Sequence, residues 1–355
     1  MKALICGDVH WATYSSIIRK RGTEYSKRLE NCINSVNWVE QTAEENGCDT
    51  VIYLGDFFDR ADATAEEISA LNEVQWSNVR HKIIVGNHEL GSADGDYSTA
   101  KILNLLPEFE VISKPSLDVG FGYYLLYLPY IFEKDRKTVS EYFKSCLTND
   151  FVTQEVKNVF IVSHNDLKGV NYGVFESKEG FDVSDIENHC ELCFNGHIHN
   201  GSKVGRNIID VGNLTGQNFN EDATKYKHVV YILETKGCDY QLSCIENPFA
   251  YNFYKIEATD TKDFASIVNS FKKHSIVSFK CLETYVDEVK SLLDGCTNVD
   301  EYRVISVPVI EDVPEEDIST LISADHIAQF RDYILNKLGN SADVISELQE
   351  ISNVN

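Results

Sequence analysis

Asp8 and His10 stand two residues apart in "GDVHW", and an extended backbone turns such a pair to one side, where both can grip a single ion. Four later runs carry the same kind of side chain: Gly55-Asp56; Gly86-Asn87-His88-Glu89; His164-Asn165; and Gly196-His197-Ile198-His199. The two oxygens of Asp56 can bridge a pair of ions. Asn87 offers a neutral carbonyl oxygen, and His164, His197 and His199 offer imidazoles. Gly55 and Gly86 permit the sharp turns that bring backbone close to such ions. Mixed oxygen and nitrogen donors without thiolate suit Mn²⁺, Fe or Zn²⁺ rather than Ca²⁺. Each run alone is a weak signal, since a lone His is ordinarily a satisfied surface or core residue. Five in order, each closing a strand-like run, point to a metal centre.

The elements that must position them are legible too. "ALIC", "TVIYL", "KIIV", "VFIVS" and "ELCFN" each lead into one of these runs. All are strand-length and almost continuously apolar, as strands buried on both faces are. Between them, residues 25–46 place Leu29, Ile33, Val36 and Val39 about a helical turn apart, and Gly47 follows as a stop. A second helix is expected over 64–80, capped by Thr64. Alternating strands and helices imply an α/β core whose strand-end loops form the site.

At 355 residues the chain can hold two domains, or one large core with an appendage. No apolar run is long enough for a transmembrane helix, and "MKALICGDV" reads as a strand rather than a signal peptide. The ten Cys are expected to be reduced and the protein cytoplasmic. Cys190 and Cys193 form a lone C-x-x-C without the second pair a zinc site wants, so a strand entering the core is expected there. The net charge of -24 is uneven: residues 309–355 hold ten acidic and two basic side chains, whereas the first thirty residues hold six basic and three acidic. Arg19, Lys20, Arg21, Lys27 and Arg28 crowd just after Asp8 and His10, so global acidity does not exclude an anionic substrate.

Residues 253–307 alternate again, strand-helix-strand-helix-strand, as a small module without further ligand clusters. An acidic linker, "EDVPEED", follows. Beyond it Ile327, Phe330, Ile334 and Leu338 share one face of an amphipathic helix that ends at Gly339, and a shorter apolar segment lies further on. Such helices either pack back on the core or dock a partner.

D-x-H, G-D-x-x-D, G-N-H-[DE], a lone H and G-H-x-H are together the motif set of the calcineurin-like metallophosphoesterases, and roughly residues 1–235 resemble that superfamily. The resemblance implies a β-sandwich flanked by helices. One divalent ion would sit on Asp8, His10, Asp56 and His199, and a second on Asp56, Asn87, His164 and His197, with Mn²⁺ foremost and Fe or Zn²⁺ as alternatives. The two ions would polarise a phosphoryl oxygen and supply hydroxide. His88 would protonate the leaving oxygen, oriented by Asp59. "GDFFDR" and "GNHE" are also similar to Ser/Thr protein phosphatases, but Ala61 and Val85 stand where those carry Gly and Arg.

A closer resemblance is to the SbcD-type nuclease subunit of the DNA double-strand-break repair complex, above all its compact bacteriophage versions. It rests on "VGNLTGQNFNED", on "IENPFAYNFYKIE" and on the layout of the last hundred residues. It implies a nuclease domain over 1–247, a capping domain over 248–308, and a 309–355 segment whose helix of Ile327, Phe330, Ile334 and Leu338 binds a coiled-coil ABC-type ATPase, the SbcC type. It further implies a homodimer and the host cytoplasm for a viral version. A nuclease also needs phosphate contacts, which Arg19, Lys20, Arg21, Lys27 and Arg28 could supply, with Trp11 and Tyr14 stacking on an unpaired base. The alternatives are a standalone metallophosphoesterase for nucleotides or small phosphodiesters, and a non-catalytic scaffold, which the full ligand set disfavours.

Overall fold

The computed structural model describes residues 1–18, 21–147, 158–171, 176–237, 239–261 and 263–308. Arg19, Lys20, Ile327, Phe330, Ile334 and Leu338 lie outside the described residues. Met1–Cys281 and Tyr285–Ile305 form one compact unit. Leu282–Thr284 groups with Ser306–Asn355 as another, most of it beyond the described residues.

Two six-stranded sheets pack face to face. In the first, Lys2–Cys6, Thr50–Tyr53, Arg80–Ile84 and Phe109–Ile112 run parallel side by side. The hairpin Val229–Lys236 and Asp239–Glu246 adds two antiparallel strands beside Lys2–Cys6. The second sheet is ordered Ser202–Val204, Ile208–Asp210, Leu192–Asn195, Asn158–Ser163, Tyr123–Leu128, Ser116–Gly120. Strand alternation divides the side chains between layers. Ala3 and Ile5 meet Phe160, Val162 and Phe194 between the sheets, while Leu4 and Cys6 face the helix Lys27–Glu45 through Leu29, Ile33 and Val36. The outer face of the second sheet is covered in the same way by Val139–Cys146 and Val183–His189. The result is a four-layered α/β sandwich, with the apolar strands buried on both faces as their sequence implied.

Ser26 caps the first long helix by accepting from the Leu29 backbone N–H. Thr64 caps the next in a capping box with Glu67, but that helix spans only Ala65–Ala70 before a 3-10 turn at Leu71–Glu73, not the whole of 64–80. Polar side chains of the first helix capture the chain beyond: Asn37 accepts from the Gln75 N–H and Glu40 from the Ser77 N–H, which draws it out toward the strand starting at Arg80.

A separate three-stranded sheet, Asn252–Ala258, Ser275–Leu282 and Val299–Val307, carries Phe264–Asn269 and Val286–Gly295 over its own core of Phe264, Phe279 and Leu293. Ile18 joins Tyr251, Phe253 and Ile276 in a small cluster that ties the first ligand loop to this sheet. The described cysteines are all free, and Cys193 is a buried strand residue. No helix among the described residues is long and apolar enough to cross a membrane.

Candidate metal centre

Lys2–Cys6, Thr50–Tyr53 and Arg80–Ile84 are parallel neighbours in one sheet, and Asn158–Ser163 and Leu192–Asn195 in the other. Their carboxyl ends therefore release the five chemical runs together. The loops are laced by backbone: His10 N–H and Val9 N–H both donate to the Asp56 carbonyl, and Trp11 N–H to that of Phe57. Of four non-glycine residues with positive φ among the described residues, three are His10 (50°), Asp56 (46°) and His197 (72°). Strain of this kind persists where surrounding structure over-determines it, and it gathers at functional sites. Glycine is required beside them, because a Cβ on Gly55 would lie 2.6 Å from His164 Nδ1 and one on Gly86 2.1 Å from Asp56 Oδ1.

Each imidazole has one nitrogen already engaged. His10 Nδ1 faces Asp59 Oδ1 at 3.0 Å, His199 Nδ1 faces Glu221 Oε1 at 3.0 Å, and His164 Nδ1 faces the Leu54 carbonyl at 2.6 Å. His197 Nε2 faces Asp166 Oδ2 at 3.4 Å. These acceptors hold the N–H of each ring and turn the other lone pair inward, as the outer partners of metal-binding histidines do. Inward, His10 Nε2 and His199 Nε2 come within 3.0 Å of each other, with Asp8 Oδ2 at 3.9 and 3.8 Å from them. Asp8 Oδ2 is buried and has no hydrogen-bond partner. In the second group His164 Nε2 lies 3.1 Å from Asp56 Oδ2 and 3.1 Å from Asn87 Oδ1, which is itself 2.9 Å from His197 Nδ1.

Converging lone pairs around an unsatisfied buried carboxylate oxygen need a cation between them. The electrostatics agree. Burial opposes ionisation of Asp56, yet His164 and His10 hold its carboxyl well below the ordinary range. Burial likewise disfavours a charged His164, but Asp56 and Asp8 outweigh it and push the imidazole up to about 9. Three overlapping donor groups result, Asp8–His10–His199, His10–Asp56–His88 and Asp56–His164–His197, and they fit a pair of divalent ions with Asp56 between them. No cysteine enters a candidate metal group among the described residues.

His88 is exposed at the rim, its ring edge-on to His10 at 4.8 Å. Its backbone N–H donates to Asp56 Oδ1, and its Nδ1 lies 3.0 Å from the carbonyl of Asp59. Asp59 therefore corrects an expectation: its carboxylate orients His10, and only its backbone touches His88. Backbone pairing of 56–59 with 9–11 puts the carboxylate over the wrong ring for the expected role.

Two of the expected DNA contacts are interior. Trp11 is 1% exposed, donates its indole N–H to the Glu67 carbonyl and stacks on Phe57. Arg28 is 2% exposed and donates to the carbonyls of Val9, His10 and Gly216 and to Thr215 Oγ1. It is the strut of the first ligand loop. Arg21 is paired with Glu66 and Lys27 with Glu30, whereas Tyr14 stands 71% exposed.

Glu221, Asp166 and Glu89 escaped sequence reasoning. Glu89, fully buried, accepts from the N–H groups of Gly86 and Phe58 and so ties two ligand loops; burial, then the charge of Asp56, drives its carboxyl up to about 8. Its place in Gly86-Asn87-His88-Glu89 was a signal for this. Glu221 and Asp166 carried none, because their partners lie far along the chain or across a loop.

Solved structures similar to this chain include TT1561 of Thermus thermophilus, at 9% identity and TM-score 0.40 over 68% of this chain and 97% of that one. Purple acid phosphatase PPD1 from yellow lupin seeds matches at 14% identity and TM-score 0.44, over 69% of this chain and 51% of that one. No curated protein matches. The profile of the calcineurin-like phosphoesterases matches residues 1–201, more than half of the chain, and the protein belongs to that family.

Proposed function

We propose that the chain is a metal-dependent DNA nuclease, the nuclease subunit of an SbcCD-like repair or recombination complex. The family hydrolyses phosphoesters at a dinuclear divalent centre; the finer reading adds Mn²⁺ as the metal and DNA as the substrate. The observation that carries the chemistry is the cluster of donor groups built from Asp8, His10, Asp56, His164, His197 and His199, with the exposed His88 within reach of His10 and Asp56. The metal pair, when bound, polarises a phosphoryl oxygen and makes water a nucleophile near neutral pH. Asp59, Glu221 and Asp166 keep the ligand rings in the right tautomer. The Asp59 carbonyl steers His88, which protonates the leaving oxygen as general acid.

Under this reading 1–247 is the nuclease domain and 248–308 caps it. The segment carrying Ile327, Phe330, Ile334 and Leu338, outside the described residues, docks a coiled-coil ABC-type ATPase, and the chain forms a homodimer. Neutralisation of Arg21 and Lys27, and burial of Arg28, remove part of the support for DNA and leave a standalone phosphodiesterase as the competing reading.

The test compares cleavage of end-labelled single-stranded and duplex DNA with hydrolysis of a chromogenic phosphodiester, in Mn²⁺, Mg²⁺ or EDTA. Mn²⁺-dependent DNA cleavage is expected, with His88→Ala lowering it about 10²- to 10⁴-fold while metal binding is retained. Hydrolysis of the small ester with DNA left intact would replace this reading with the standalone enzyme.

A further inference from the structure

We propose that the nucleic-acid strand leaves the metal centre along a groove on the His197 side, where Lys134 and Lys137 hold its phosphates. The inference rests on the nucleic-acid reading above. The groove has a volume of about 580 Å³ and is bounded by Val85 and Leu90 on one side and the segment from Tyr130 to Tyr142 on the other. It lies beside the metal centre, although none of the candidate ligands lines it. Val85 precedes Gly86-Asn87 and its carbonyl accepts from the Tyr130 N–H, and the Tyr130 ring lies 6.1 Å from that of His197.

Four cations line this groove, Lys114, Lys134, Arg136 and Lys137, against the carboxylates of Asp94 and Asp135. Asp96 and Glu133, which pair with Lys114 and Arg136, bring the groove to charge balance on a chain of net charge -24. Lys114 is paired with Asp96. Arg136 belongs to the wall: it is held by Glu133 and the Ile131 carbonyl and lies over the Phe181 ring. Lys134 and Lys137 are exposed, and among the described residues neither ammonium group comes within ion-pair distance of a carboxylate, though the charge of Lys137 helps lower the Glu141 carboxyl. A lysine of this kind is a mobile point charge suited to tracking phosphates without reading sequence. Beside them Tyr130 and Phe132 meet edge-to-face at 5.2 Å and stay half-buried, so that an aromatic face is available for an unpaired base.

A smaller groove of about 220 Å³ beside His10 is lined also by Tyr14, Asp59 and Gln217, and among the described residues the cation it meets is the buried Arg28.

The experiment measures kcat/KM for end-labelled DNA with Mn²⁺ across a salt series, in wild type, in the double variant Lys134→Glu/Lys137→Glu, and in Lys134→Arg/Lys137→Arg. Metal content and melting temperature of each report on the integrity of the centre. The Glu pair is expected to lower kcat/KM at least about tenfold and to flatten its logarithmic salt dependence by roughly 1.4 on single strands and 1.8 on duplex, two phosphate contacts' worth. The Arg pair should keep both. DNA cleavage by the Glu pair with wild-type rate and slope would overturn the inference while leaving the nuclease reading intact. Loss of bound metal in the Glu pair would overturn it in favour of a structural role. Absence of DNA cleavage by the wild type would overturn the nuclease reading itself.

Discussion

Glu221→Gln separates holding a metal from holding the fold. Glu221 is 1% exposed and uses both carboxylate oxygens: Oε1 faces His199 Nδ1 at 3.0 Å, and Oε2 accepts from the Gln217 N–H at 2.8 Å. An amide of the same size has a single acceptor oxygen. Either Gln217 loses its partner, or the amide N–H₂ turns toward His199 and moves the ring's proton to Nε2, the atom that faces Asp8 and His10. A charge-assisted hydrogen bond contributes about 1.5–3 kcal/mol. Loss of an outer partner of a metal-bound histidine ordinarily weakens the metal about 10- to 100-fold, or about 1.4–2.7 kcal/mol. The two figures agree, so a 10- to 100-fold loss is expected at the ion shared by Asp8, His10 and His199. The other ion should be held nearly as before. Competition with a fluorescent chelator for Mn²⁺ at pH 7 reads the two affinities, and a melting curve without metal reports the fold. Affinities within twofold of wild type at both sites would refute the tautomer argument; equal weakening at both would refute the partition into two groups.

Arg28→Met should destabilise the protein by about 3 kcal/mol or more in urea unfolding, because the carbonyls of Val9, His10 and Gly216 lose a buried donor. A change under 1 kcal/mol would show the strut to be dispensable. Glu40→Gln tests a buried network on the first long helix. Burial raises the Glu40 carboxyl, but His81, Ser77 and Tyr53 outweigh it and leave it below the usual value. A carboxylate lowered on folding stabilises above its unfolded pKa of about 4.3, and that stability is lost as pH falls through the folded value. Melting temperatures from pH 7 to pH 3 should therefore show wild type above the variant at neutrality and the gap closing in acid. A gap independent of pH would contradict the assignment.

Strands and candidate donors were legible because both rest on local pattern. Continuous apolar runs before Asp8, Asp56, Asn87, His164 and His197 mark strands covered on both faces, and the candidate donors follow where the strands end. The first helix was legible from its period and its stop. What escaped depends on contacts distant in the chain. Helical propensity continues past Leu71, yet Asn37 and Glu40 of another helix take the backbone of 75–77. Arg28 and Trp11 look like surface residues, one by charge and one by its neighbours, until Thr215, Gly216 and Glu67 close over them. Asp59 was named through the family resemblance, but which ring it serves depends on how two loops cross. Glu221 partners a ligand 22 residues away, and no local pattern announces that.

The central claim is that two facing groups of lone pairs hold two cations that share Asp56, and counting bound metal tests it most directly. Equilibrium dialysis against Mn²⁺, followed by elemental analysis, should give two ions per chain in wild type. His199→Ala and His197→Ala should each weaken a different one of them, and Asp56→Asn should weaken both. A single ion in wild type, or a stoichiometry indifferent to Asp56, would contradict the account.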